Sequence, residues 1–118
     1  FMKQAAGAFA AGSAAEKAAL LKNPTYLQMV GIFGTAVSEG LRTVAQLQVL
    51  LPGGPKNEQA VRDGLNDMSN ALTAAGFAGQ QLMGIYAQTT TLKPCGQLIG
   101  GMLMAAQAAA AKLTAWLP

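Results

Sequence analysis

Histidine is absent from this chain of 118 residues, and cysteine occurs once, as Cys95. Without histidine, the chain lacks the commonest general base and the commonest metal ligand of proteins. A single cysteine forms neither a disulfide within the chain nor a metal cluster, and a free cysteine usually behaves as a small buried hydrophobic residue. We therefore expect a buried thiol and a protein that needs no metal and no cofactor.

Charged side chains are scarce, at 11% of the residues, where a typical share is about 25%. The hydrophobic share is 52%, which argues against disorder, because disordered chains combine low hydrophobicity with high charge. The net charge is +3, but the lysines and arginines are scattered singly and form no basic stripe for phosphates. The composition therefore predicts no nucleic-acid partner. It favours association, because so few charges cannot cover the surface of a monomer.

The motifs of the common enzyme classes are also missing. The segment PGGP is not followed by Gly-Lys-Ser/Thr and so is not a phosphate-binding loop, and Ser38 has no histidine to activate it. Asp63 and Asp67 lie one helical turn apart, where a solvated face is the usual explanation and a weak cation site the rarer one. We expect a non-catalytic protein without catalytic or metal-binding residues.

Helix breakers divide the chain, which we expect to be a single domain over residues 1–118, into four helical stretches. The breakers are Asn23–Pro24, PGGPKN at 52–57 and TTTLKP at 89–94. Asn57 is expected to cap the third helix, and no segment shows the period of two that strands have. The predicted helices are Met2–Lys22, Thr25–Leu51, 58–88 and Cys95–Leu117. The predicted fold is all-α, an antiparallel helical hairpin or four-helix bundle with an Ala/Gly/Met-rich C-terminal helix.

The second and third predicted helices each have one apolar side. On the second it comprises Met29, Val30, Phe33, Val37, Leu41, Val44, Leu47 and Leu51. On the third it comprises Val61, Leu65, Met68, Leu72, Ala75, Gly79, Leu82, Met83 and Tyr86. The opposite sides are polar and carry charges at mid-helix, which are costly in hydrocarbon. These helices are therefore predicted to pack in a bundle and not to span a membrane.

The last predicted helix has no charged side. Its apolar stripe is Leu98, Met102, Ala105, Ala109, Leu113 and Trp116, broadened by Ile99, Leu103 and Leu117. The other side is mostly Gly, Ala and Met, with Gln97 and Lys112 as its strongly polar members. Gly96 and Gly100 form a GxxxG step, a pattern that lets helix backbones approach closely. Lipid-facing surfaces carry more Leu, Ile, Val and Phe, so we expect protein around this helix on more than one side. A lipid-inserted helix and an ordinary bundle helix are the alternatives.

The predicted interface for helix packing lies mainly on this last helix. It comprises Gly96, Gly100, Gly101, Met104, Ala105, Ala108 and Ala109, with Phe77 and Ile85 of the third helix, which leave its main stripe. Large apolar residues beside Gly and Ala on neighbouring helices would form a patch, and such patches mark interfaces. We therefore predict a homo-oligomer.

The predicted function is that of a self-assembling structural subunit of an exported filament or similar helical array. The composition resembles that of pilins and filamentous coat proteins in a general way, without a motif that identifies a family. One alternative is a helical-bundle adaptor or chaperone-like module that binds an amphipathic partner helix. Another is a peripheral protein that contacts a membrane or lipid surface. The chain starts at Phe1 and not at Met, so we expect a processed product or an excised piece of a longer protein. A removed export signal would explain this start, and we expect an extracellular or cell-surface location.

Overall fold

The computed structural model describes residues 2–114, without the side chains of Met2, Lys3, Ala5, Leu113 and Thr114. The described residues are all-helical and contain no strand, which confirms the all-α prediction. The helices are α1 (Met2–Ala10), α2 (Ala14–Leu21), α3 (Pro24–Leu50), α4 (Glu58–Ala87) and α5 (Lys93–Thr114). A 3₁₀ segment, Leu51–Asn57, connects α3 to α4.

The predicted first helix is wrong in one respect, because two helices, α1 and α2, replace it. Ser13 lies between them with an extended backbone, and its hydroxyl oxygen accepts a hydrogen bond from the Glu16 amide at 3.2 Å. This bond caps the start of α2. The residue before it, Gly12, lies against the Leu92 side chain, and a Cβ at this position would collide with that side chain. Ser-x-x-Glu is a helix-start signal that the alanine-rich composition concealed.

Asn57 precedes α4, but the prediction that its side chain caps this helix is wrong. The side-chain nitrogen of Asn57 donates to the Leu50 carbonyl oxygen at 2.9 Å and makes no capping hydrogen bond to α4. Leu50 is the last residue of α3, where backbone carbonyls lack partners within the helix. Gly54, in the same segment, has a φ of 68°, which favours glycine. The Asn57 side chain therefore supplies a hydrogen-bond donor to a backbone carbonyl at the end of α3.

α3 and α4 form an antiparallel hairpin. Near the connection, Leu47 packs so closely on α4 that a Cβ on Gly64 would lie 2.8 Å from its Cδ2 atom. At the far end, the hydroxyl oxygens of Tyr26 and Tyr86 lie 2.7 Å apart. The two rings meet edge to face, with centroids 5.7 Å apart.

α5 packs antiparallel against another side of α4. At the start of α5, a Cβ on Gly96 would lie 3.6 Å from the Met83 Cα atom. Further along, Leu103 of α5 reaches Gly79 of α4. α4 therefore lies between α3 and α5, and the molecule is elongated, with extents of 55 × 22 × 18 Å.

The buried side chains form two clusters at opposite ends of the three long helices. The larger cluster comprises Leu20, Tyr26, Met29, Ala78, Leu82, Tyr86, Leu92, Cys95 and Ile99. Ala8 and Phe9 of α1 pack against it, so the N-terminal helices cover this end. The smaller cluster comprises Leu47, Val61, Leu65 and Met68. Within the described residues, three helices run the length of the molecule, while α1 and α2 have only nine and eight residues.

Candidate functional site

An apolar groove of about 370 Å³ runs along the middle of the three long helices. Its lining residues are Phe33, Ala36, Val37, Gly40, Leu41 and Val44 of α3, Met68, Ala71, Leu72 and Ala75 of α4, and Met102, Leu103, Ala106 and Ala109 of α5. The α4 residues are mostly buried and form the floor, whereas α3 and α5 supply partly exposed walls. The groove begins beside Phe33 and Leu103, which also pack against the larger core cluster.

The groove exists because the apolar side of α3 is wider than the surface that α4 covers. Met29 and Leu47 of the predicted stripe are buried, but Val30 is 41% exposed and Leu41 is 60% exposed. Val37 and Val44 are only partly covered. Val37, Leu41 and Val44 form part of one wall of the groove. Sequence reasoning missed this because periodicity does not show how many helices cover a face.

The chemistry of the groove is uniform, because none of its fourteen lining residues has a charged side chain or one with an N–H, O–H or oxygen. Such a surface offers no acid, base or nucleophile to a substrate. It can bind another apolar surface, and each Å² removed from water contributes about 25 cal/mol. A buried polar group would find no partner in it and would weaken binding. The groove is therefore suited to an apolar helix face.

The GxxxG step of α5 packs against α4 of the same chain. Gly96 is buried, and a Cβ there would lie 3.3 Å from the Tyr86 Cβ atom. Gly100 is half-buried, and its Cβ would lie 3.3 Å from the Met83 sulfur. The close approach at these two positions of the predicted interface is thus a contact within the chain.

The other predicted interface residues lie in four different places. Gly101 is half-buried, while Met104, Ala105 and Ala108 are exposed on the outer side of α5. Ala109 is exposed and also lines the groove. Phe77 is 55% exposed on α4 and does not line the groove, and Ile85 is half-buried against the larger core cluster. The structure thus leaves the outer side of α5 and Phe77 accessible, whereas Ile85 packs against the core.

The face of α5 that contacts α4 lies at one edge of its predicted apolar stripe, where Ile99 and Leu103 broaden it. Cys95, Gly96 and Ile99 are buried, whereas Ala105 of the predicted stripe is exposed. Met102, from the same stripe, lines the groove. The end of the predicted helix, with Trp116 and Leu117, lies outside the described residues.

A polar contact fixes the N-terminal helices to the connection between α4 and α5. The Glu16 carboxylate accepts hydrogen bonds from the Thr90 amide at 2.7 Å, the Thr91 amide at 2.8 Å and the Thr91 hydroxyl at 2.5 Å. The Ser13 amide donates to the same hydroxyl oxygen at 2.8 Å. These bonds, from the Thr91 hydroxyl first and then from the two amides, lower the pKa of Glu16. No sequence pattern indicates this contact, because its partners lie far apart along the chain.

Cys95 belongs to the larger core cluster, which confirms the prediction of a buried thiol. Burial raises the pKa of this thiol. The side chain therefore packs as a small hydrophobic residue of the core and not as a reactive group.

Comparison of the chain with family models, curated proteins and solved structures finds no match in any of the three. Measured over the described residues, none of the helices combines the length and the hydropathy that a membrane crossing requires. The geometry and chemistry of the groove are therefore the basis on which a function is inferred.

Proposed function

We propose that this protein is a non-catalytic, self-associating helical subunit, in which contact between copies covers the apolar groove. The observation that carries the proposal is the groove itself, whose fourteen lining residues include no charged one. Contiguous exposed apolar surface marks interaction sites in soluble proteins. The low charge content of the whole chain, 11%, also supports burial of part of its surface in an assembly.

The proposal includes a four-helix bundle that is completed only on association. α3 and α5 flank α4, and the groove between them is where a fourth long helix would lie in a bundle. α1 and α2 cover only the end of this core that contains Tyr26 and Cys95. A helix from another copy would extend that cover along the groove. We propose an exported filament or similar helical array as the setting of this contact.

A lysine placed in the groove tests the proposal. Leu41 lines the groove and is 60% exposed, so Leu41→Lys should leave the folded single chain intact. In an assembly, that ammonium would be buried without a partner, at a cost of several kcal/mol. Val49→Lys is the control, because Val49 is 78% exposed on the same helix and does not line the groove.

Sedimentation velocity supplies the readout. The parent protein and Val49→Lys should sediment as species much larger than 12.0 kDa, while Leu41→Lys sediments as a monomer. A parent protein that is monomeric at all concentrations overturns the proposal. A Leu41→Lys variant that assembles like the parent protein excludes the groove from the contact.

The length of the groove favours a second candidate function, an adaptor that binds an amphipathic partner helix. Between Phe33 and Val44 the groove follows about three turns of α3, or about 17 Å at 1.5 Å per residue. This alternative predicts a chain that stays monomeric at high concentration and binds an amphipathic helical peptide, with Leu41→Lys abolishing that binding.

A further inference from the structure

We propose that the helix that enters the groove is α5 of a second copy, which presents its outer side. That outer side comprises Gly101, Met104, Ala105, Ala108 and Ala111, and all but Gly101 are exposed. The inference rests on the proposed self-association and identifies the partner segment within it.

Shape is the first reason. The floor and walls of the groove include Ala36, Gly40, Ala71, Ala75 and Ala106, and the distance between packed helices depends on the side chains at the contact. A helix can approach this surface closely only if its own side chains are small. The outer side of α5 is mostly alanine. Between Gly101 and Ala111 its one large side chain is Met104, which is 73% exposed and flexible enough to fit an irregular gap, and Lys112 follows at the end of this side.

Charge is the second reason. The groove contains no charge, and an unpaired charge buried there would cost several kcal/mol. α5 carries no charged residue between Lys93 and Lys112, a span longer than the groove. The exposed side of α3, by contrast, carries Glu39 and Arg42 near its middle. The exposed side of α4 carries Glu58, Arg62, Asp63, Asn66, Asp67, Asn70, Gln80 and Gln81.

Buried area favours a whole second copy over a short peptide. A stable interface removes about 800 Å² per partner from water, which is about a ninth of the 7227 Å² surface of this chain. Half the lateral surface of a helix about 10 Å wide and about 17 Å long is only about 270 Å². A second copy can add contacts along the rims, where Val30 and Leu41 are exposed.

The two surfaces lie on different sides of the same helix. Met102 and Ala106 of α5 line the groove, whereas Met104 and Ala108, each two residues further on, point about 200° away. A copy can therefore insert its α5 into one neighbour and receive α5 of another in its own groove. Such a head-to-tail contact forms an open array when the rotation between copies does not close a ring.

Two variants that block the two surfaces separately test this contact. Gly40→Leu fills the groove, and it should be tolerated because a Cβ there has its nearest neighbour at 4.0 Å, on Ala71. Ala108→Glu places a charge on the outer side of α5, where the side chain is exposed. The controls are Gly31→Leu, which has nothing within 4 Å of its Cβ position, and Ala18→Glu on the exposed side of α2.

Each blocking variant alone should associate at least about tenfold more weakly than the parent protein, a loss of about 1.4 kcal/mol, while both controls assemble normally. A mixture of the two variants should form a discrete one-to-one dimer of twice 12.0 kDa. In that dimer, the intact α5 of Gly40→Leu enters the open groove of Ala108→Glu, and neither copy can extend the chain. Sedimentation equilibrium measures both effects, and circular dichroism checks that the variants are folded.

The outcomes distinguish this contact from self-association in general. If the parent protein assembles but either variant alone assembles equally well, or the mixture stays monomeric, α5 of a second copy does not occupy the groove. If the parent protein is monomeric, the proposed function fails as well. Should Gly40→Leu not fold, Ala106→Leu, at an exposed position in the same groove, takes its place in the mixing experiment.

Discussion

Replacing Tyr86 with phenylalanine should lower the free energy of unfolding by about 1–3 kcal/mol. The hydroxyl oxygens of Tyr26 and Tyr86 lie 2.7 Å apart, and both side chains are buried. Removing one hydroxyl leaves the other buried without its partner, and the desolvation cost of that group is then uncompensated. The edge-to-face ring contact, at 81° between planes, survives in the variant, so the loss reports the hydroxyl pair alone.

The double variant Tyr26→Phe/Tyr86→Phe decides whether this reasoning is right. It should lose less stability than the sum of the two single variants, because no unpaired hydroxyl remains. Urea denaturation followed by circular dichroism gives the three free energies, provided that the slope with urea concentration is unchanged. Single variants as stable as the parent protein, or losses that simply add, would refute the claim that the hydroxyl groups depend on each other.

The same pair predicts a pH dependence. Burial, with the hydrogen bond to Tyr26, raises the pKa of Tyr86 above its usual value of 10.0. The protonated hydroxyl of Tyr86 therefore stabilises the fold fully below about pH 10. This stabilisation is lost as the pH rises toward the pKa that Tyr86 has in the folded state. Tyr86→Phe should show a smaller alkaline loss of stability than the parent protein.

Three further predictions concern other sites. The pKa of Glu16 is lowered from 4.5, so its carboxylate stabilises the fold above about pH 4.5 and this gain disappears as the pH falls through the folded pKa. In Glu16→Gln, Tm should therefore decrease less steeply as the pH falls. A decrease as steep as that of the parent protein would show that the Glu16 contact does not stabilise the fold. Gly79→Ala should be destabilising, because its Cβ would lie 2.8 Å from the Leu103 side chain. Gly84→Ala has nothing within 4 Å of its Cβ, so its free energy of unfolding should rise by up to about 1 kcal/mol. If urea denaturation gives the same change in the free energy of unfolding for both variants, Gly79 is not crowded. The Cys95 thiol should react with a thiol reagent only on unfolding, because it is buried with a raised pKa, and rapid labelling of the native protein would disprove this.

The sequence predicted α4 well, because that helix is covered by a neighbour on each of two sides. Val61, Leu65, Met68, Ala75 and Leu82 of its predicted stripe are all buried. Its end and the break after it also fall close to the predicted residues. A helix at the centre of a layer has an apolar arc that matches its contacts, so periodicity locates its buried face directly.

The outer helices were harder to predict because each has one uncovered side. Val30 and Leu41 of α3 belong to the apolar stripe, but no helix of the same chain covers them fully. On α5, the predicted stripe reached the buried face only at its edge, through Ile99 and Leu103, because alanine and glycine occur all round the helix and do not mark one side. The groove joins residues from three helices, and its existence follows from the packing of α3 and α5 on α4 and not from any local motif.

Negative-stain electron microscopy of the parent protein tests the central claim most directly. A single chain is 55 Å long. We expect particles much longer than this at high concentration, which shorten on dilution because association follows mass action. Particles no longer than one chain at the highest concentration would contradict the account of a self-associating subunit.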